Sequence, residues 1–182
     1  MTRSMTSRHA ESNSKINIRN MERLIKQIHA EWRKAKLRAQ QRCERAGQYD
    51  VAAKLAACDM FSGAETLPEL IDLMFTPQGI EFMTSFDFPG IDLLRKFKPF
   101  HPERYGVFID ARKIVLTDAK RVWLIGNTSA RLNYAKTQGN TVVLMHGASA
   151  DINAAGYSVV KIEMGARCRY HADKHDHAIV MA

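Results

Sequence analysis

The chain has 182 residues, 46% of them hydrophobic, three cysteines and a formal net charge of +8. This is enough apolar material for one ordinary domain or two small ones sharing a core, so a wholly disordered chain is excluded. No apolar run approaches the roughly 20 residues that span a bilayer and the N-terminus has no apolar signal core, so the default expectation is a cytoplasmic location; the odd set Cys43, Cys58 and Cys168, without C-x-x-C spacing, argues against a disulfide framework or a zinc ribbon.

Residues 1–20 are polar, rich in Ser, Thr and Asn and without periodicity, and are expected as a disordered tail. From Met21 to about Ala46, Leu24, Ile28, Trp32, Ala35, Ala39 and Cys43 recur every three or four residues, which predicts a long amphipathic helix. Gly47 is placed to end it, and Asp50 to cap a second helix running to Phe61. Thr66-Leu67-Pro68-Glu69 has the form of a capping box and opens a third helix over Leu67–Phe75. Pro77 and Pro89 suit the first turns of two short helices carrying Ile80, Phe82, Met83, Phe86, Ile91, Leu93, Leu94 and Phe97. Residues 21–104 form the expected helical region.

Beyond Tyr105 the period shifts to alternation with β-branched residues and regularly placed glycines, the mark of strands. The segments repeat. Val122-Trp123-Leu124-Ile125-Gly126 is followed by Ala130-Arg131-Leu132-Asn133, and the pattern returns at Val142 with Ala150, then at Val160 with Cys168. Offsets of 20 and then 18 residues predict a β-solenoid over 105–182, with columns Val122/Val142/Val160 and Leu132/Ile152/Tyr170, an amide pair at Asn133 and Asn153 with His171 in their place in the third copy, and corners at Gly126, Gly147 and Gly165. The fold class is thus α+β, an N-terminal helical segment followed by a short solenoid. The Phe-rich helices are expected to cap its first rung.

The stretch Leu67–Phe82, with Phe88-Pro89, Arg104-Tyr105-Gly106-Val107-Phe108-Ile109-Asp110 and Leu124-Ile125-Gly126-Asn127-Thr128, resembles small uncharacterised proteins of gut Bacteroidetes and their mobile elements. The resemblance covers roughly Leu67 to Val180. It implies a helical part followed by solenoid turns and a phage or mobile-element origin, and it implies no activity.

Three constellations stand out. Outward apolar residues Trp123, Ile125, Val143 and Met145 form either a protein-binding patch or a surface covered by the helices. Residues 21–46 carry eight basic against three acidic side chains, and Arg33, Lys34, Lys36 and Arg38 are the densest group for contacts with nucleic-acid phosphates; the alternative is a solvated face packing on the acidic helical region. His171, His175 and His177 are weak metal candidates in what reads as a polar turn. No P-loop, G-x-S-x-G, G-x-G-x-x-G or H-E-x-x-H pattern is present, so an enzyme is the least supported class and neither a cofactor nor catalytic residues are expected.

The leading expectation is a non-enzymatic module that binds an unknown protein partner, followed by nucleic-acid binding and then a metal-dependent role; membrane association is not expected. A homodimer through the C-terminal rung, burying Ile179 and Met181, is the expected way to close the open end of the stack.

Overall fold

The computed structural model, which describes the backbone of residues 5–182 and the side chains of residues 17–182, opens on a 41-residue helix, α1 (Met5–Arg45). Residues 5–20 therefore belong to this helix, which corrects their reading as a disordered tail. Once a helix is nucleated each further residue adds a hydrogen bond at little cost, so weak amphipathicity is no bar to its extension. Residues 1–4 lie outside the described residues. Gly47, at φ +74°, ends α1, and the Gln48 N–H donates to the Cys43 carbonyl at 2.9 Å.

Helix α2 (Tyr49–Ala57) is shorter than the sequence predicts, with Gln48 at its N-cap and Asp50 inside its first turn. Helix α3 (Leu67–Met74) has the full capping box: the Thr66 hydroxyl accepts from the Glu69 N–H, and the Glu69 carboxylate accepts from the Thr66 N–H at 2.8 Å. In α4 (Pro77–Phe86) the Thr76 hydroxyl accepts from the Gly79 N–H at 3.0 Å, and α5 (Ile91–Arg95) follows. None of the described helices is long and apolar enough to cross a membrane.

The remainder is a parallel β-solenoid of about four turns. Its strands are β1 (Val107–Ile109), β2 (Arg112–Thr117), β3 (Arg121–Ile125), β4 (Thr128–Tyr134), β5 (Gly139–Met145), β6 (Ser149–Ala154), β7 (Val159–Met164), β8 (Arg169–Lys174) and β9 (Ile179–Met181). Odd-numbered strands form a five-stranded sheet in the order β1-β3-β5-β7-β9, and even-numbered strands a four-stranded sheet, β2-β4-β6-β8. The first sheet is hereafter the inner sheet, because the helices cover it, and the second the outer sheet.

The register corrects the predicted columns. Val122 pairs with Val142, which pairs with Ile162, while Val160 sits between Asn140 and Val180. Leu132 and Ile152 are continued by Ala172, and Tyr170 pairs with Ala150. The rise is 20 residues per rung throughout, except between the first two rungs, where the corner from Thr117 to Arg121 is four residues shorter than its successors. The predicted slip of two residues preserves which face each side chain occupies, so alternation alone does not reveal it. Asn133 does pair with Asn153, but Asp173 is the next residue of that column and His171 follows Asp151.

Aspartates fasten successive corners. The Asp110 carboxylate accepts from the Asn127 N–H at 2.8 Å, and Asp118 accepts from the N–H groups of Ala135 and Lys136 at 2.8 and 3.1 Å. Gly126 and Gly147 turn their corners at φ +65° and +87°; Gly165 has no such requirement.

Two cores result. Val122, Leu124, Leu132, Val142, Leu144 and Ile152 fill the solenoid, and Val107, Ile109, Trp123, Ile125, Val143 and Met145 on the opposite face of the inner sheet join residues of α1, α3, α4 and α5. The helices thus cover a side of the stack, Val107 and Ile109 of the first rung included, and do not close its first-rung end. Phe108, Ile114, Leu116 and Ala119, which point into that rung, are only half-buried.

Candidate nucleic-acid interface

Helix α1 is held by one face. Leu24, Ile25, Ile28, Trp32, Ala35 and Ala39 are buried, and Trp32 meets Phe61 edge-on with 5.8 Å between ring centroids. Full burial of each large aliphatic side chain contributes about 1.5–3 kcal/mol. Glu31, on the flank of this face, accepts from the Gly90 N–H at 2.9 Å and so ties α1 to the start of α5.

The other face carries the charge. Arg19, Arg23, Lys26, Arg33, Lys34, Arg38, Arg42 and Arg45 are all exposed, and among the described residues none of the eight forms an ion pair. At 1.5 Å per residue they extend about 39 Å along the helix. Glu22 and Glu44 are the exposed acids of the same span. The acidic residues between Gly47 and Arg104 leave this face unneutralised because α1 turns its apolar stripe toward them.

Lys36 is different. Its Nζ donates to the carbonyls of Ala56 and Cys58 at 3.2 and 2.7 Å, lies 3.9 Å from Asp59 and sits 4.7 Å above the centre of the Trp32 ring. It closes the end of α2 against α1 and is removed from the set available to phosphates; Arg33, Lys34 and Arg38 keep their exposure. Sequence periodicity does not separate Lys36 from its neighbours, since it lies at the border of the buried face.

Trp123, Ile125, Val143 and Met145 have no exposed surface at all, which corrects their reading as a binding patch. Phe75 of the segment after α3 meets Trp123 edge-on at 6.0 Å. The histidines are not brought together either. His171 and His175 line a shallow depression on the outer sheet with Asp151 and Asp173, whereas His177 stacks on Tyr157 at 4.9 Å. Among the described residues no group of three or more His, Cys, Asp or Glu side chains is placed to hold a metal ion.

Sequence reasoning missed a groove of about 500 Å³ between α1, α2 and α4, lined by Trp32, Cys43, Leu55, Met60, Phe82 and Phe86. Its residues come from three helices whose relative placement no local pattern encodes. It also missed His146, whose side chain is 6% exposed at a solenoid corner, with Nε2 2.8 Å from the Pro89 carbonyl and Nδ1 3.2 Å from the Asp87 carboxylate. This side chain fastens the α4–α5 connection to the third rung. Comparison of the chain with protein-family models, curated proteins and solved structures yields no match.

Proposed function

We propose that this protein binds nucleic acid along the exposed face of α1. The observation that carries the reading is the row of eight exposed cations, Arg19 to Arg45, without acidic partners among the described residues. A polyanion with regularly spaced phosphates suits such a row, since each neutralised phosphate releases condensed counterions. A membrane surface suits it less. Interfacial helices sink an apolar face into the lipid, and that of α1 is already occupied by the core, leaving Ile18 and Leu37 as its isolated exposed apolar residues. Protein binding through Trp123, Ile125, Val143 and Met145 has no free surface, because the helices cover these residues.

The test is the salt dependence of affinity for duplex DNA. Binding is expected at low salt, with log K falling linearly against log salt. Replacing Arg33, Lys34 and Arg38 together by glutamine lowers the slope by up to about 2.7, at about 0.9 for each phosphate no longer neutralised. Lys36→Gln leaves the slope unchanged, because its ammonium faces the carbonyls of Ala56 and Cys58. No binding at 20 mM salt, or a slope indifferent to the triple substitution, refutes the proposal.

A further inference from the structure

Packed helices normally leave few voids larger than a water molecule between them, yet the groove between α1, α2 and α4 stays open. Its lining explains why. Ala39, Cys43 and Cys58 are short side chains, and Leu55, Met60 and Phe82 beside them supply apolar walls. At 1.5 Å per residue the α1 residues that line the groove, Trp32 to Ala46, extend about 21 Å. Spread over that length, a volume of about 500 Å³ gives a mean cross-section of about 24 Å².

We infer that this groove binds a single-chain, long-chain carboxylate, with the acyl chain along the floor and the head at Arg42. The cross-section decides the shape of the occupant. One extended polymethylene chain fills it, whereas a helix of about 10–12 Å diameter does not enter it and a two-chain lipid finds room for one of its chains. Apolar and polar lining residues are also segregated: Ala39 and Phe82 are buried on the floor, while Arg42, Gln78, Glu81 and Ser85 are exposed at the rim. An amphiphile requires this division, its chain removed from water and its head left in it.

The sign of the head follows from the charges of the rim. Arg42 forms no ion pair among the described residues, and Arg38 and Arg45 stand one turn away on either side of it, so the α1 rim is positive. Glu44, two residues from Arg42, falls on the far side of the helix. Glu81 is the acid of the α4 rim, and its helical neighbours Gln78 and Ser85 are neutral. Lys36, the remaining charged residue of the lining, is engaged by the carbonyls of Ala56 and Cys58 and by Asp59. The balance thus rests on three arginines against Glu81, which favours an anionic head.

The test uses the thiols of the groove. Cys43 and Cys58 are half-buried in it, and Cys168, also half-buried, lies outside it against the solenoid core. Alkylation of the full chain by N-ethylmaleimide is followed at each cysteine by mass spectrometry, with octanoate, decanoate or dodecanoate present below the micellar range. At saturation the carboxylates are expected to slow Cys43 and Cys58 about tenfold and to leave Cys168 unchanged, the half-protecting concentration falling about two- to fourfold for each added CH₂. Decanoate is expected to bind about fivefold more tightly than decanol, and Arg42→Gln, at an exposed position, to abolish that difference. Absence of protection, protection that ignores chain length, equal slowing of Cys168, decanol as effective as decanoate on wild type, or a difference that survives Arg42→Gln each overturns the inference. None of these measurements contains nucleic acid, so their failure is distinct from failure of the salt titration.

Discussion

Replacing Trp123 separates a core wedge from a surface residue by a measurable margin. The side chain has no exposure, lies between Val107 and Val143 in the ladder and meets Phe75 edge-on. Trp123→Ala deletes a ring that β1, β5 and Phe75 together flank, and a Trp or Phe truncation in such a setting costs about 3–5 kcal/mol. A solvent-facing tryptophan on a strand changes stability by about 0.5 kcal/mol or less when replaced. Phenylalanine at this position behaves differently. The indole Nε1 is buried without a hydrogen-bond partner, and leaving such a donor unsatisfied costs about 1–3 kcal/mol. Trp123→Phe removes that donor while leaving a smaller void worth about 1 kcal/mol, so its net effect is expected within about 1 kcal/mol of wild type. Urea unfolding followed by far-UV circular dichroism and by Trp32 fluorescence measures both variants, since Trp32 sits in α1 and is untouched. An alanine variant within 0.5 kcal/mol of wild type, or a phenylalanine variant as unstable as alanine, contradicts this packing.

Gly79 lies in the first turn of α4, where a Cβ would run into the Leu73 carbonyl and approach the Met74 carbonyl at 3.0 Å. Backbone cannot give way as a side chain does, so Gly79→Ala is expected to cost about 1–3 kcal/mol despite alanine's better helix propensity, and a thermal melt equal to or above wild type disproves it. The Arg95 guanidinium, hydrogen-bonded to Asp110 at 2.8 Å, holds this carboxyl below the usual aspartate range, with the Asn127 N–H assisting. Its contribution is therefore present above the unfolded pKa near 4 and is lost as pH falls through the lower folded value. Asp110→Asn should lower the urea midpoint at pH 7 and flatten the decline between pH 4 and pH 2; curves parallel to wild type show that the pair does nothing.

Local signals carried most of the fold. Thr66 and Glu69 form the capping box that their spacing announces, and alternation with recurring glycines marks the rungs. The column assignments failed by two residues because inward and outward faces survive such a slip. What covers the inner sheet was also legible in part. Val122 to Ile125 and Val142 to Met145 are unbroken apolar runs, the pattern of strands buried on both faces, whereas β4 alternates Ala130, Arg131, Leu132 and Asn133 as a half-solvated strand does. Weighing that contrast more heavily removes Trp123 and Met145 from any surface. Lys36 was beyond reach. Its role depends on where the carbonyls at the end of α2 come to rest, and a helical wheel shows only that it borders the buried face.

The outward residues of the inner sheet change character along the stack. Trp123 and Ile125, then Val143 and Met145, are apolar, and at the next level the Trp123–Val143 column passes to Glu163, which pairs at 2.8 Å with Lys161, the successor of Arg121 and Thr141 in the neighbouring column. The helical layer thereby acts as a gauge of repeat number. Duplication of a 20-residue unit from beneath the helices would add an apolar pair with nothing to cover it, while duplication of the charged unit would lengthen the solenoid without exposing new hydrophobic surface. Growth of this architecture by tandem copying is thus confined to the far side of Lys161, and any longer chain built on the same plan should show its extra turns there, charged on the face that the helices do not reach.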